Sequence, residues 1–182
     1  MKVFGIDPGT GRTGYGCVAT DGSRHRIVVC GAISTPALAS FPEKLLQIHD
    51  RLTSLISECR PDCVAIENLF HATNVRSALK LGHARGVAML AAVEAGLPVF
   101  EYTPAEVKRA VAGYGRAEKQ QVQQMVKLIL GLAVPPSPHD AADALAVALC
   151  HVHSQPPKRV AVVLPPVRSR ATSWRTYRPA RS

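Results

Sequence analysis

The stretch KVFGIDPGTGRTG, residues 2–14, decides how the rest of the chain is read. Val3, Phe4 and Ile6 form a short apolar run, and Asp7-Pro8 followed by glycines ends it. Such a run reads as a buried strand, and the Asp-Pro-Gly sequence as its stop. Asp7 therefore falls at the carboxyl end of a central strand, the edge where ligands and chemistry collect in open α/β sheets. A carboxylate there is costly to desolvate unless a cation meets it.

Gly9, Gly11 and Gly14 also spell G-x-G-x-x-G, the dinucleotide fingerprint. That fingerprint needs a helix directly after it and an acidic residue about 20 positions on. Here Tyr15, Cys17 and Ala19 alternate with small or polar neighbours, a strand pattern, and no Asp or Glu lies between Asp21 and Glu43. The glycines are expected to make a tight hairpin turn, with Gly9 and Gly11 free to take positive φ.

Thr13–Thr20 and Arg26–Thr35 read as two further strands, with Asp21-Gly22-Ser23 as the turn between them. Leu45, Ile48, Leu52 and Ile56 recur at helical spacing, which predicts a helix over Phe41–Cys59 with Pro42 in its first turn. Cys63–Ile66 is a fourth strand that ends in Glu67, and a long helix is expected over about 74–95. Val99–Tyr102 is a fifth strand. Thr103-Pro104-Ala105-Glu106 is a capping box that opens a helix ending near Gly113. Two more helices are expected, about 117–130 and from Ser137-Pro138 to about His153. The fold class is α/β, a mixed five-stranded sheet flanked by helices, in which the fourth and fifth strands run parallel to a neighbour.

A chain of 182 residues with 47% hydrophobic residues fits one soluble domain with a real core. Arg85 and Glu94 interrupt the longest apolar stretches, so no membrane span is expected, and the N-terminus lacks a signal-peptide layout. Five cysteines without a C-x-x-C pair read as reduced structural thiols, and the expected location is cytoplasmic. The net charge is +9, but residues 156–182 hold seven basic residues and no acidic one. The expected division is a folded domain over residues 1–155 and a flexible, basic, Pro/Arg-rich tail over 156–182. A basic tail is a common solubility or weak nucleic-acid feature and does not by itself establish DNA binding.

Three acidic positions stand out. Asp7 ends the first strand, Glu67 ends the fourth, and Asp140 and Asp143 lie one turn apart at the start of the last helix. If the first and fourth strands are neighbours, their ends set Asp7 beside Glu67, and the alanine-rich last helix can bring Asp140 and Asp143 to them. Four carboxylates in one place repel each other and are stable only with divalent cations between them. Oxygen-only ligands suit Mg²⁺ or Mn²⁺, and a two-metal cluster is the usual apparatus for in-line displacement at a phosphodiester. Each residue has a plainer account: Asp140 as the second half of a capping box with Ser137, Asp143 as a favourable charge at a helix start, Glu67 as a strand-end charge, Asp7-Pro8 as a turn.

The segments GIDPGTGRTGYG (5–16), AIENLFHATNVRSALKLGHARG (65–86), FEYTPAEVKRAVAGYGRAEKQQV (100–122) and HDAADALAVALCH (139–151) closely resemble the RuvC family of bacterial Holliday-junction resolvases. The resemblance runs in order from about Lys2 to His153. It implies an RNase H-like fold, a homodimer, and Mg²⁺-dependent nicking of two opposed strands of a four-way DNA junction in recombination and repair. Carried onto this chain, the catalytic and metal-binding acids are Asp7, Glu67, Asp140 and Asp143. Some members carry a histidine at the place of Asp140, and His139 is adjacent here; the three-residue spacing to Asp143 favours Asp140. The resemblance also implies the RuvA–RuvB branch-migration complex as partner. The tail receives no specific role.

Phe70, three past Glu67 in a loop, is placed to stack on an unpaired base, or else to staple the following helix. Lys108 and Lys119, near the starts of two successive helices, are candidates for phosphate contact or charge stabilisation, against a plain solvated face. Arg76, Lys80 and Arg85 give the long helix a basic side suited to DNA. Gly82 and Gly86 weaken that helix by roughly 1 kcal/mol each, which points to close approach of another backbone, from a partner subunit or the chain's own sheet. Competing classes are weaker. A nuclease acting on RNA or RNA–DNA hybrids shares the fold but not the long match around Glu67. A two-domain sugar-kinase type of ATPase needs a longer chain, and a silent DNA-binding scaffold would not keep four acids.

Overall fold

The structure, a computed structural model, describes residues 1–68 and 75–154. The N-terminal run is strand β1, Lys2–Asp7, in which Val3, Phe4 and Ile6 are fully buried. Val3 faces one core, while Phe4 and Ile6 face a second on the other side of the sheet. β1 is buried on both faces because it sits in the middle of a five-stranded sheet of order β3-β2-β1-β4-β5, with β2 at Arg12–Thr20, β3 at His25–Ser34, β4 at Cys63–Glu67 and β5 at Val99–Tyr102. β1–β2 and β2–β3 are antiparallel, β1–β4 and β4–β5 parallel. The β2–β3 hairpin closes on Asp21, whose carboxylate accepts from the amides of Ser23 at 3.0 Å and Arg24 at 2.8 Å. Gly22 there has φ +104°, where a side chain would be strained.

Helices α1 (Phe41–Cys59) and α2 (Val75–Glu94) cover one face; α3 (Pro104–Ala112), α4 (Lys119–Ile129) and α5 (His139–His153) cover the other. Both expected N-terminal signals are used: Pro42 lies in the first turn of α1, and Thr103 and Glu106 cap α3, with the Thr103 amide 2.7 Å from the Glu106 carboxylate. A second capping box, Ser40 with Glu43, closes the start of α1 and was not anticipated. α4 starts two residues later than expected because Glu118 is its cap, donating its amide to Gln121 Oε1 at 3.0 Å. Among the described residues no helix is long and apolar enough to cross a membrane. The proposed tail and Phe70 lie outside the described residues.

α5 is the innermost helix. Ala141, Ala142, Ala144, Leu145, Ala146, Val147, Ala148, Leu149 and Cys150 are all buried. It lies on bare strand backbone. A Cβ on Gly5 would strike the Ala144 carbonyl and stand 2.8 Å from the Ala148 amide nitrogen. One on Gly14 would strike the Asp140 carbonyl, and one on Gly16 would stand 2.7 Å from Leu145 Cγ. The expectation of positive φ at Gly9 and Gly11 is not met, since neither is among the positive-φ glycines. Gly9 is needed for space instead, because a Cβ there would run into the Arg12 carbonyl. Behind α5, His151 is hydrogen-bonded through its two ring nitrogens, Nδ1 to Tyr102 Oη at 2.8 Å and Nε2 to Cys63 Sγ at 3.3 Å, one as donor and one as acceptor, tying β5 and β4 to the helix.

On α2, Ala84, Ala88, Ala91 and Ala92 are fully buried against the core, whereas among the described residues a Cβ on Gly82 or Gly86 would meet nothing within 4 Å. Close packing on the chain's own sheet is therefore not the reason for these glycines. They lie on an outward apolar face with Leu79 and Leu90, 60% and 50% exposed.

The bare-backbone contact predicts a contrast between two glycines. Gly5→Ala forces α5 off the sheet and is expected to lower unfolding free energy by about 1–3 kcal/mol, the range for overpacking. Gly11→Ala, with nothing within 4 Å of its Cβ, is expected to stay within about 0.5 kcal/mol of the parent. Urea unfolding of the two variants checks this.

Candidate active site

The parallel register of β1 and β4 sets Ile6 opposite Ile66, so Asp7 and Glu67 leave the same sheet edge side by side. Their side chains hydrogen-bond to each other. In the antiparallel register of β1 and β2, Asp7 lies opposite Gly14, and Gly14 is the glycine on which the first turn of α5 rests. One pairing and one close contact thus carry Asp140 and Asp143 to Asp7 and Glu67. The structure sets Asp7 in hydrogen-bond contact with Glu67 and within electrostatic reach of Asp143 and Asp140.

Their electrostatics follow from that crowding. Asp7 is pushed up to about 8, first by burial, then by the charges of Glu67 and Asp143, with the hydrogen bond to Glu67 and the charge of Asp140 adding. Glu67 is also raised, by burial and then by Asp143, while Asp7 as hydrogen-bond partner and the charges of Lys119 and Lys108 oppose the rise. Two buried carboxyls at hydrogen-bond distance cannot both ionise cheaply, so they share a proton. The outer pair is held differently. Lys119 Nζ lies 2.6 Å from Asp143 Oδ2 and is itself raised, chiefly by that hydrogen bond. Arg12 Nε lies 3.3 Å from Asp140 Oδ2.

Several expectations are thereby sorted. The capping account of Asp140 fails: Pro138 is the cap residue of α5 and no side chain caps that end. His139 is turned to α4, with Nδ1 2.8 Å from Gln123 Nε2. Lys108 and Lys119 both come within electrostatic reach of Glu67. Arg76 and Lys80 stay exposed on α2, with Lys80 Nζ 5.8 Å above the Phe41 ring. Arg85 is ion-paired with Glu101 of β5, so it does not belong to a free basic side. Arg12 was not anticipated. Its only sequence signal is a cation in the glycine turn after Asp7, and nothing in that spacing indicates contact with residue 140.

Four carboxylates supply only hard oxygen donors, the set that suits Mg²⁺ or Mn²⁺ rather than a thiophilic metal. Among the described residues no three such ligands already converge on one ion position; Arg12 and Lys119 occupy the two outer carboxylates.

Residues 3–151 match the family described as crossover junction endodeoxyribonuclease RuvC. A crossover junction endodeoxyribonuclease RuvC of Chloroflexus aggregans is 53% identical over 156 residues, 86% of this chain and 95% of that protein. The RuvC of Trichlorobacter lovleyi is 51% identical over 179 residues, 98% of this chain and all of the relative, so its similarity extends beyond residue 155. Thermus thermophilus RuvC, solved in complex with a Holliday junction substrate, superposes with a TM-score of 0.78 at 38% identity, covering 84% of this chain and 94% of that one. The RNase H-like expectation for the fold holds.

The raised acids predict a pH dependence in metal-free protein. A carboxyl whose folded value lies above its unfolded value adds stability below the unfolded value and loses it as pH rises through the folded one. For Asp7 that window runs from 3.8 to about 8. The stability of wild type relative to Asp7→Asn should therefore fall between pH 5 and pH 8.5 in EDTA, and saturating Mg²⁺ should reduce the fall. Thermal unfolding of both proteins across pH reads this directly, and a flat difference would contradict it.

Proposed function

The chain belongs to the RuvC family of crossover junction endodeoxyribonucleases, and from that membership we propose how its own residues perform the family's reaction. It is an endonuclease that acts on Holliday junctions and depends on a metal. The observation that carries the residue assignment is the meeting of four carboxylates from β1, β4 and α5 at one sheet edge. Asp7, Glu67, Asp140 and Asp143 are the proposed catalytic acids, and together they would hold Mg²⁺, two ions per subunit, with Mn²⁺ able to substitute. Bound there, the ions would polarise the scissile phosphate and stabilise the attacking and leaving oxygens.

The protein groups do the rest. Asp7 and Glu67 give up their shared proton when cationic charge enters, so the inner pair becomes a full acceptor at neutral pH. Lys119, released from Asp143, turns to the phosphate being cut, and Lys108 adds positive charge on the Glu67 side. Phe70 is proposed to stack on an unpaired base, and Arg76 and Lys80 to contact the DNA backbone from α2. Delivery by RuvA–RuvB and a cytoplasmic location complete the reading; the five cysteines are free thiols, as that compartment keeps them.

Resolution to ligatable duplexes needs two nicks at matching positions on opposed strands. A two-fold dimer supplies two identical sites at fixed separation. The α2 face of Leu79, Gly82, Gly86 and Leu90 is the proposed contact, because its glycines let a second backbone approach and none of the described residues covers them.

Two experiments test the proposal. Asp7→Asn should bind a four-way junction and lose cutting on the order of 1,000-fold or more; Glu67→Gln and Asp143→Asn should do the same without additivity, as parts of one unit. Near-normal cutting by Asp7→Asn would remove the assignment. Gly86→Leu should shift a sedimenting homodimer toward monomer and replace paired cuts by single nicks. A monomer that still makes paired symmetric cuts, without dimerising on the junction, would remove the dimer.

A further inference from the structure

We propose that Arg12 binds a backbone phosphate next to the one being cut, and that Asp140 holds its guanidinium in waiting until a divalent cation takes that carboxylate. The inference rests on the reading of the carboxylate cluster as the junction-cutting site.

The turn under Arg12 is built to be rigid. Thr13, fully buried, donates its hydroxyl to the Gly9 carbonyl at 2.7 Å and accepts the Gly9 amide at 3.4 Å. Thr35 donates its hydroxyl to the Thr10 carbonyl at 2.9 Å and its amide to the Gly11 carbonyl at 3.1 Å. The side chain that rises from this braced backbone is 54% exposed. Its ion pair with Asp140 has Nε 3.3 Å from Oδ2, longer than the 2.7–2.9 Å of a strong charge-assisted bond. Among the described residues the guanidinium has no second partner. The planar edge that matches a phosphate two-to-two is therefore unspent.

A loose, half-exposed ion pair costs little to break. Lys119, by comparison, lies 2.6 Å from Asp143. Asp140 is wanted by the cation and Arg12 by the DNA, so the entry of metal frees Arg12 at the moment when a phosphate is needed beside the site. The pair thus couples metal binding to DNA binding, and Arg12 competes with the cation for Asp140 when no DNA is present.

The test compares wild type, Arg12→Ala and Arg12→Lys. Affinity for a synthetic four-way junction is read by fluorescence anisotropy in EDTA and in Ca²⁺, another oxygen-seeking cation. Mn²⁺ affinity without DNA is read by calorimetry. In Ca²⁺, Arg12→Ala should bind the junction roughly tenfold more weakly, the scale of a hydrogen bond to a charged group, and its salt slope should drop by about 0.9. In EDTA its affinity should stay within about twofold of wild type, because Arg12 is then engaged by Asp140. Arg12→Lys should recover part of the loss in Ca²⁺. Without DNA, Arg12→Ala should bind Mn²⁺ several-fold more tightly. Equal affinities of wild type and Arg12→Ala in Ca²⁺ would overturn the phosphate contact. Equal losses in EDTA and Ca²⁺, or weaker Mn²⁺ binding by the variant, would overturn the waiting role of Asp140. Wild type that binds no junction in either condition would instead overturn the underlying reading of the site.

Discussion

Helix α5 rests on the backbone of β1 and β2 because Gly5, Gly14 and Gly16 present no side chains to it. Glycine inside a strand weakens it, by roughly 0.5–1 kcal/mol against alanine. That loss is offset by the helix the glycines admit, whose alanines and leucines are buried along nearly its whole length. The same contact sets the chemistry. Gly14 is the strand partner of Asp7 and the floor beneath Asp140. A helix held a side chain's width further out would leave Asp140 and Asp143 away from the pair at the sheet edge. Packing and site are one constraint in this fold.

The assembled acids are balanced in two ways at once. Burial and mutual repulsion keep a proton between Asp7 and Glu67, and two cations from neighbouring elements, Lys119 and Arg12, sit on Asp143 and Asp140. Proton, lysine and arginine together offset much of the negative charge that divalent ions would otherwise neutralise. Each is also displaceable: a proton is lost to solvent, and both basic side chains are more than half exposed. The cluster is thus compatible with a stable metal-free fold while keeping its oxygen donors available.

What was legible in the chain was local. The apolar run before Asp7, the strand ending in Glu67 and the capping box Thr103–Glu106 each show in a few consecutive residues, and the strands and helices formed where those signals lay. Spacing also placed Asp140 and Asp143 on one helical turn. What failed was the non-local part. Ser137 and Asp140 have capping-box spacing, yet the side chain of Asp140 meets Arg12 across the fold. Gly9 and Gly11 suggested positive φ, but Gly9 serves close packing within the turn. Arg85 resembled a DNA-facing cation and is tied to Glu101 on β5. Each miss concerns which distant partner a side chain finds, which depends on strand order and helix placement rather than on neighbours in sequence.

The central claim is that α5 delivers Asp140 and Asp143 to Asp7 and Glu67 so that the four carboxylates hold divalent ions. Anomalous diffraction from crystals soaked in Mn²⁺ tests it most directly. The account predicts manganese peaks bounded by these four residues, with Lys119 and Arg12 moved off Asp143 and Asp140. Manganese elsewhere on the protein, with both ion pairs intact and none among the four carboxylates, would contradict it.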